Sequence, residues 1–133
     1  MMVARRIAYG MACGLAFSAP VFAAAAEECL PVGDAAAVLK CLTDEEIKAN
    51  TELVTLENTA ANHARNIEQA TGRVGAHAAF AKSVRDFAQY RTSQCAYVKE
   101  LIASGTGSAQ AQIGCRVDLT RRRIRDLTGI AIR

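Results

Sequence analysis

The sequence predicts an all-α fold: a small three-helix bundle with a short N-terminal helical segment, stapled by two disulfides. Three observations lead there. Apolar residues recur at spacings of three and four over long stretches, period-two alternation is almost absent, and the cysteines fall where they can join one helical segment to another.

The first element is a leader. Arg5 and Arg6 precede an apolar run over residues 7–17, followed by Pro20, Val21-Phe22-Ala23 and three further alanines before Glu27. A basic n-region, a short h-region and an A-x-A-like site predict a signal peptide over residues 1–26, cleaved after Ala23 or after Ala26. The run is too short and too interrupted to span a hydrocarbon core of about 30 Å. Neither Cys13, inside the run, nor Cys29, after Glu27-Glu28, is placed for lipidation. The expected location is therefore periplasmic or secreted, with residues 27–133 as one helical domain.

Export decides how the cysteines are read. Of five, Cys13 leaves with the leader, so Cys29, Cys41, Cys95 and Cys115 remain. An even number in an exported chain predicts disulfides. If the chain turns at Gly105-Thr106-Gly107-Ser108, then at about 1.5 Å per residue Cys95 and Cys115 stand roughly 13 and 10 Å from that turn on antiparallel arms. They lie nearly level, which pairs Cys95 with Cys115 and leaves Cys29 with Cys41. Each bridge closes a loop for which the chain-entropy account gives about 3 kcal/mol. A zinc site is the rival reading, but no C-x2-C pair exists and four thiolates do not suit an oxidising compartment. No metal and no cofactor is expected.

Along the mature chain, Asp34 is placed to cap a short helix through Val38, Leu39, Cys41 and Leu42. Thr43-Asp44-Glu45-Glu46 then reads as a capping box that starts a long helix. Its stripe is Leu53, Leu56, Ala60, Ala64 and Ile67, and Thr71-Gly72 ends it. A second long helix is predicted over residues 76–103, with the stripe Phe80, Val84, Phe87, Arg91, Cys95, Val98 and Ile102. Phe80, Phe87, Tyr90 and Tyr97 all lie on it, which makes it the expected central helix. The third helix is expected to start after Ser108 as N-cap. Its stripe is Ile113, Val117, Thr120, Ile124 and Leu127, and Gly129 is placed to stop it.

Charge is unevenly shared along the chain. Residues 27–60 hold eight acids against Lys40 and Lys48, whereas residues 61–133 hold twelve basic residues against five acids. Most of this reads as solvated helix surface. The run Arg121-Arg122-Arg123-Ile124-Arg125 fans around an apolar stripe residue near a helix C-terminus, where the helix dipole favours cations. Nucleic acid is not an expected partner of an exported chain. An anionic membrane surface suits such a patch better.

A catalytic reading finds little support. His63 and His77 fall on different helices with no acid at ligand spacing. The paired acids Glu45-Glu46 and Glu52 with Glu57 are explained by capping, the dipole and solvation. Gly105-x-Gly107-Ser108 could cradle an anion, but it serves more simply as a tight turn. No catalytic residue is assigned, and the chain is read as a non-enzyme. Arg91 is less ordinary, because it occupies a core slot and needs a polar partner. An ion pair with Glu57 or Asp118 is expected.

The block Phe87-x2-Tyr90-Arg91-x3-Cys95, then Gly107-Ser108, then Cys115-x3-Leu119-Thr120-x2-Arg123-Ile124-x2-Leu127 resembles the lysozyme inhibitor LprI-like domain. That family's pattern runs A-Q-x-x-W-x-x-Y-R-x3-C, a Gly-Gly-Ser-like turn, then C-x3-L-T-x2-R-I-x2-L. This chain departs at Val84, where the pattern has glutamine, and at Phe87, where it has tryptophan. The resemblance covers most of the mature chain and implies a small exported helical protein that binds and inhibits lysozyme in the cell envelope. Animal-type lysozymes are basic with a carboxylate-lined cleft, so the resemblance points to Asp44, Glu45 and Glu46 as steering acids. The alternative is an envelope structural or adaptor protein that binds a periplasmic partner or anionic lipid through Arg121, Arg122 and Arg125.

Overall fold

In the computed structural model, which describes residues 24–102 and 105–131, the chain is helical throughout apart from short turns. The expected signal peptide lies outside the described residues except for its last three. Those three open a short helix, α1 (Ala24–Cys29), which is followed by a 3-10 turn at Leu30–Val32. Three long helices complete the bundle: α2 (Ala35–Thr71), α3 (Ala76–Leu101) and α4 (Thr106–Ala131). None of the described helices is long and apolar enough to cross a membrane.

Asp34 caps α2 as expected, its Oδ1 accepting the amides of Ala36 and Ala37 at 3.1 and 2.9 Å. The break expected at Thr43 does not occur, and residues 35–71 form one helix. The reason is local. The Thr43 hydroxyl donates to the Leu39 carbonyl at 2.9 Å, the bond a threonine makes inside a helix rather than at its start. Thr51, Thr55, Thr59 and Thr71 bond back four residues in the same way. Nothing between Leu42 and Thr43 stops propagation, so two segments sharing one apolar stripe fuse.

Thr71-Gly72 does end α2. Gly72 takes φ 69°, and its amide donates to the Glu68 carbonyl at 2.9 Å. The Glu68 carboxylate then accepts the amides of Gly75 and His77 at 2.8 and 2.9 Å, so α2 supplies the cap that Gly75 lacks. The His77 amide bond holds the Glu68 pKa below 4.5. The next turn uses Gly105 at φ 109°, and α4 begins two residues ahead of the expected cap. Ser108 sits in its first turn with its hydroxyl donating to the Gly105 carbonyl at 2.9 Å. Gly129 does not stop α4, which continues to Ala131.

Both disulfides pair as expected. Cys29–Cys41 ties α1 to α2 with Cα atoms 5.8 Å apart, and Cys95–Cys115 ties α3 to α4 at 5.6 Å. The central helix is α4, not α3. Cys115, Val117, Leu119, Thr120, Ile124 and Leu127 are all buried, whereas α3 fully buries Cys95 alone. Helix α4 touches α1, α2 and α3. At Gly114 an added Cβ would stand 3.8 Å from the Ala26 Cβ.

The core has three parts. Ala25, Cys29, Val38, Leu42 and Val117 close the N-terminal end. Leu53, Ile124 and Leu127 pack with Leu56, Ala60, Phe80 and Phe87 at the other end. Cys95, Cys115 and Leu119 lie against Phe87 and Val98. Phe87 therefore belongs to two clusters and fills the aromatic slot of the pattern.

Candidate partner-binding surface

The acidic and basic stretches, far apart in sequence, meet in space because α4 lies along α2. Glu46 takes a forked bond from Arg116, at 2.5 Å from Nε and 3.0 Å from Nη2. Glu45 accepts from Arg121 at 2.6 Å, and the same guanidinium reaches Glu28 of α1 at 2.8 Å. The bond to Glu46 raises the Arg116 pKa above its ordinary value. Burial alone would lower that of Arg121, but its bonds to Glu28 and Glu45 outweigh burial and raise it. These pairs join three helices, and such partly exposed bridges contribute about 0–1 kcal/mol each.

The six candidate contact residues thus separate. Glu45 and Arg121 are bonded to each other, and Glu46 is held by Arg116. Asp44 lies exposed beside Lys40, one turn back at 2.6 Å. Arg125 is exposed and Arg122 half-buried. The basic run does not form one face: Arg123, inside it, points into the bundle.

Two of the resemblance's arginines build a polar layer there. Arg91 Nη1 donates to Asn50 Oδ1 at 2.7 Å and to Thr120 Oγ1 at 2.6 Å, with its guanidinium 5.6 Å from the Phe87 ring centre. The expected ion pair is absent. Glu57 faces Arg123 at 4.0 Å, and Asp118 accepts the Ala25 amide at 3.1 Å. Arg91 bonds neutral oxygens rather than a carboxylate. The sequence signal for this partner was Thr120, a hydroxyl on an otherwise apolar stripe.

Arg123 donates to Ser83 Oγ at 2.9 Å and lies 6.0 and 5.6 Å from the Phe80 and Phe87 ring centres. Its Nε and the Glu57 Oε1 stop just short of a hydrogen bond. Burial raises the Glu57 pKa above 4.5 against the pull of Arg123 and Arg91. Asn50, Ser83 and Glu57 complete this layer and carried no recognisable motif.

With these contacts assigned, most of the block is structural. Cys95, Cys115, Leu119, Thr120, Ile124 and Leu127 are buried, Arg91 and Arg123 bond inward, and Gly107-Ser108 lies in the first turn of α4, just after the turn at Gly105. Tyr90 is the block's side chain left on the surface, 49% exposed. Tyr97, seven residues on and 59% exposed, continues the same flank of α3. The two histidines show ordinary roles: His77 bonds Arg65 at 2.7 Å, and His63 lines a shallow apolar groove between Leu56, Phe80 and Leu127.

The family model described as lysozyme inhibitor LprI matches residues 29–127. The matched span takes in both disulfides and the whole polar layer. No curated protein and no solved structure matches the chain.

Proposed function

The chain belongs to the lysozyme inhibitor LprI family, and from that premise we propose that it is an exported binding protein that inhibits lysozyme by occupying its surface, without catalysis of its own. The family match over residues 29–127 carries this reading. A stapled bundle suits the role, because a surface ordered before binding loses little further freedom on association.

The contact is assigned to the α3 flank that carries Tyr90 and Tyr97. Tyrosine supplies large, rigid, amphipathic area and is enriched among the residues that dominate binding energies. Charge has a smaller part than the sequence suggests. Steering depends on the net field, and Asp44, Glu45 and Glu46 are each paired with a cation, Lys40, Arg121 and Arg116 respectively. The adaptor reading loses support for the same reason, since a lipid surface would meet Arg122 and Arg125 rather than the whole run, at about 1 kcal/mol for each basic residue.

A pulldown on immobilised basic lysozyme tests the assignment. Replacing Tyr90 and Tyr97 together by alanine is expected to weaken binding at least about tenfold, equivalent to about 1.4 kcal/mol. The melting temperature should stay close to wild type because both rings are exposed. Binding by the wild type should persist at high salt. Unchanged affinity in the double variant would remove the contact from this flank.

A further inference from the structure

The sequence leaves two cleavage points, after Ala23 and after Ala26. We propose that the leader is cut between Ala23 and Ala24, and that the α-ammonium released on Ala24 is a structural ligand of the buried Asp118 carboxylate. Hydrolysis of that peptide bond adds one water, leaving a carboxylate on the departing Ala23 and an ammonium on Ala24. A hydrolytic endopeptidase of the envelope supplies the catalysis.

Three observations carry the inference. Asp118 is 7% exposed, and while its Oδ1 accepts the Ala25 amide at 3.1 Å, its Oδ2 has no partner. A buried carboxylate with one oxygen unmatched costs stability. The basic group that acts on Asp118 from one turn along α4, Arg121, is already bonded to Glu28 and Glu45. What lies next to the carboxylate is the start of α1. Burial pushes the Asp118 pKa up, while the Ala25 amide, Arg121 and the Ala24 amide pull it down and Glu28 pushes it up. An ammonium in place of the Ala24 amide, on the residue before the one that already bonds Oδ1, offers three donors and a full charge to the second oxygen. A cation at a helix N-terminus is opposed by the dipole, and the Asp118 carboxylate offsets that opposition.

The second cleavage point would dismantle this end of the protein. Ala25 is wholly buried among Cys29, Val38, Leu42 and Val117. Ala26 seats α1 on α4, its Cβ and N standing 3.8 and 3.9 Å from where a Gly114 Cβ would be. Cutting after Ala26 discards both, opens the N-terminal cluster, and strips Asp118 of the amides that face it. Val21 and Ala23, at the third and first positions before the proposed cut, have the small side chains such a site requires.

The test begins with intact mass and N-terminal sequencing of the protein exported from the full-length chain. The mature chain is expected to begin at Ala24; a start at Glu27 or at any other residue overturns the proposal. A double-mutant cycle then tests the ion pair by urea unfolding. It combines Asp118→Asn with a one-alanine insertion before Ala24, which moves the ammonium one residue away. Asp118→Asn should lower the folding constant of the Ala24-initiated chain by about tenfold, the equivalent of one pKa unit of interaction. In the extended chain it should change that constant far less. Equal losses in the two backgrounds would overturn the pairing. Both readouts are independent of lysozyme binding.

Discussion

Replacing Cys95 and Cys115 together by alanine is expected to lower the melting temperature by roughly 10–25 °C. The bridge spans a sequence separation of 20 residues. A loop of that size restrains the unfolded chain by about 3 kcal/mol, and each kcal/mol moves the midpoint of a small domain by about 4–8 °C. The bridge also belongs to a core cluster with Leu119, so its loss removes buried packing as well as a chain restraint. The Cys29–Cys41 bridge, with a separation of 12, has a similar entropic effect. Its removal differs in kind, because it frees α1 from α2 and opens the N-terminal cluster while α3 and α4 stay tied. Thermal unfolding followed by circular dichroism, with the oxidised protein as reference, checks both variants. A change of only a few degrees for the Cys95 and Cys115 pair would mean that the hairpin is held by its packing alone.

Arg91→Ala is expected to cost about 2–3 kcal/mol, read as a shift in the urea midpoint. The substitution removes the donor shared by Asn50 and Thr120 and leaves the Thr120 oxygen, on a residue 1% exposed, without that bond. Hydrogen bonds to charged donors contribute about 1.5–3 kcal/mol, and an orphaned buried partner adds its own desolvation cost. Arg91→Met combined with Thr120→Val should recover part of the loss, since replacing both partners by apolar groups of similar shape is close to neutral. Should Arg91→Ala leave stability untouched while abolishing partner binding, Arg91 would be a contact residue and the polar layer incidental.

These two predictions concern residues that the sequence had already singled out, and its success with them was uneven for physical reasons. The disulfide pairing was legible because helix rise alone puts Cys95 and Cys115 level across a turn. The end of α2 was legible because Gly72 adopts a conformation that other residues resist. The start of α2 was not, since a threonine followed three residues later by glutamate satisfies a capping box and a helix interior equally well. Thr43 took the interior bond, and Glu46 went to Arg116. The central helix was misassigned because aromatic content stood in for burial. Tyr90 and Tyr97 face outward, whereas Cys115, Val117 and Thr120 of α4 are almost wholly buried.

Less of the candidate surface was legible. Charge counted along the chain placed acids at one end and bases at the other, whereas the fold sets Glu45 and Glu46 against Arg121 and Arg116. Pairing across helices depends on their rotation about their own axes, which no linear count contains. Tyr90 belongs to the recognised block, but only the fold shows that it stands 49% exposed among side chains held by packing, disulfide or internal hydrogen bonds.

The most direct measurement of the central claim is lysis of a cell-wall suspension by an animal-type lysozyme, followed as turbidity, with increasing amounts of the purified, oxidised mature protein. The predicted result is a lysis rate that falls and saturates as the protein reaches and exceeds the enzyme, with the Tyr90→Ala, Tyr97→Ala variant displaced to higher concentration. A lysis rate unchanged by a large molar excess of folded, oxidised protein would contradict the account.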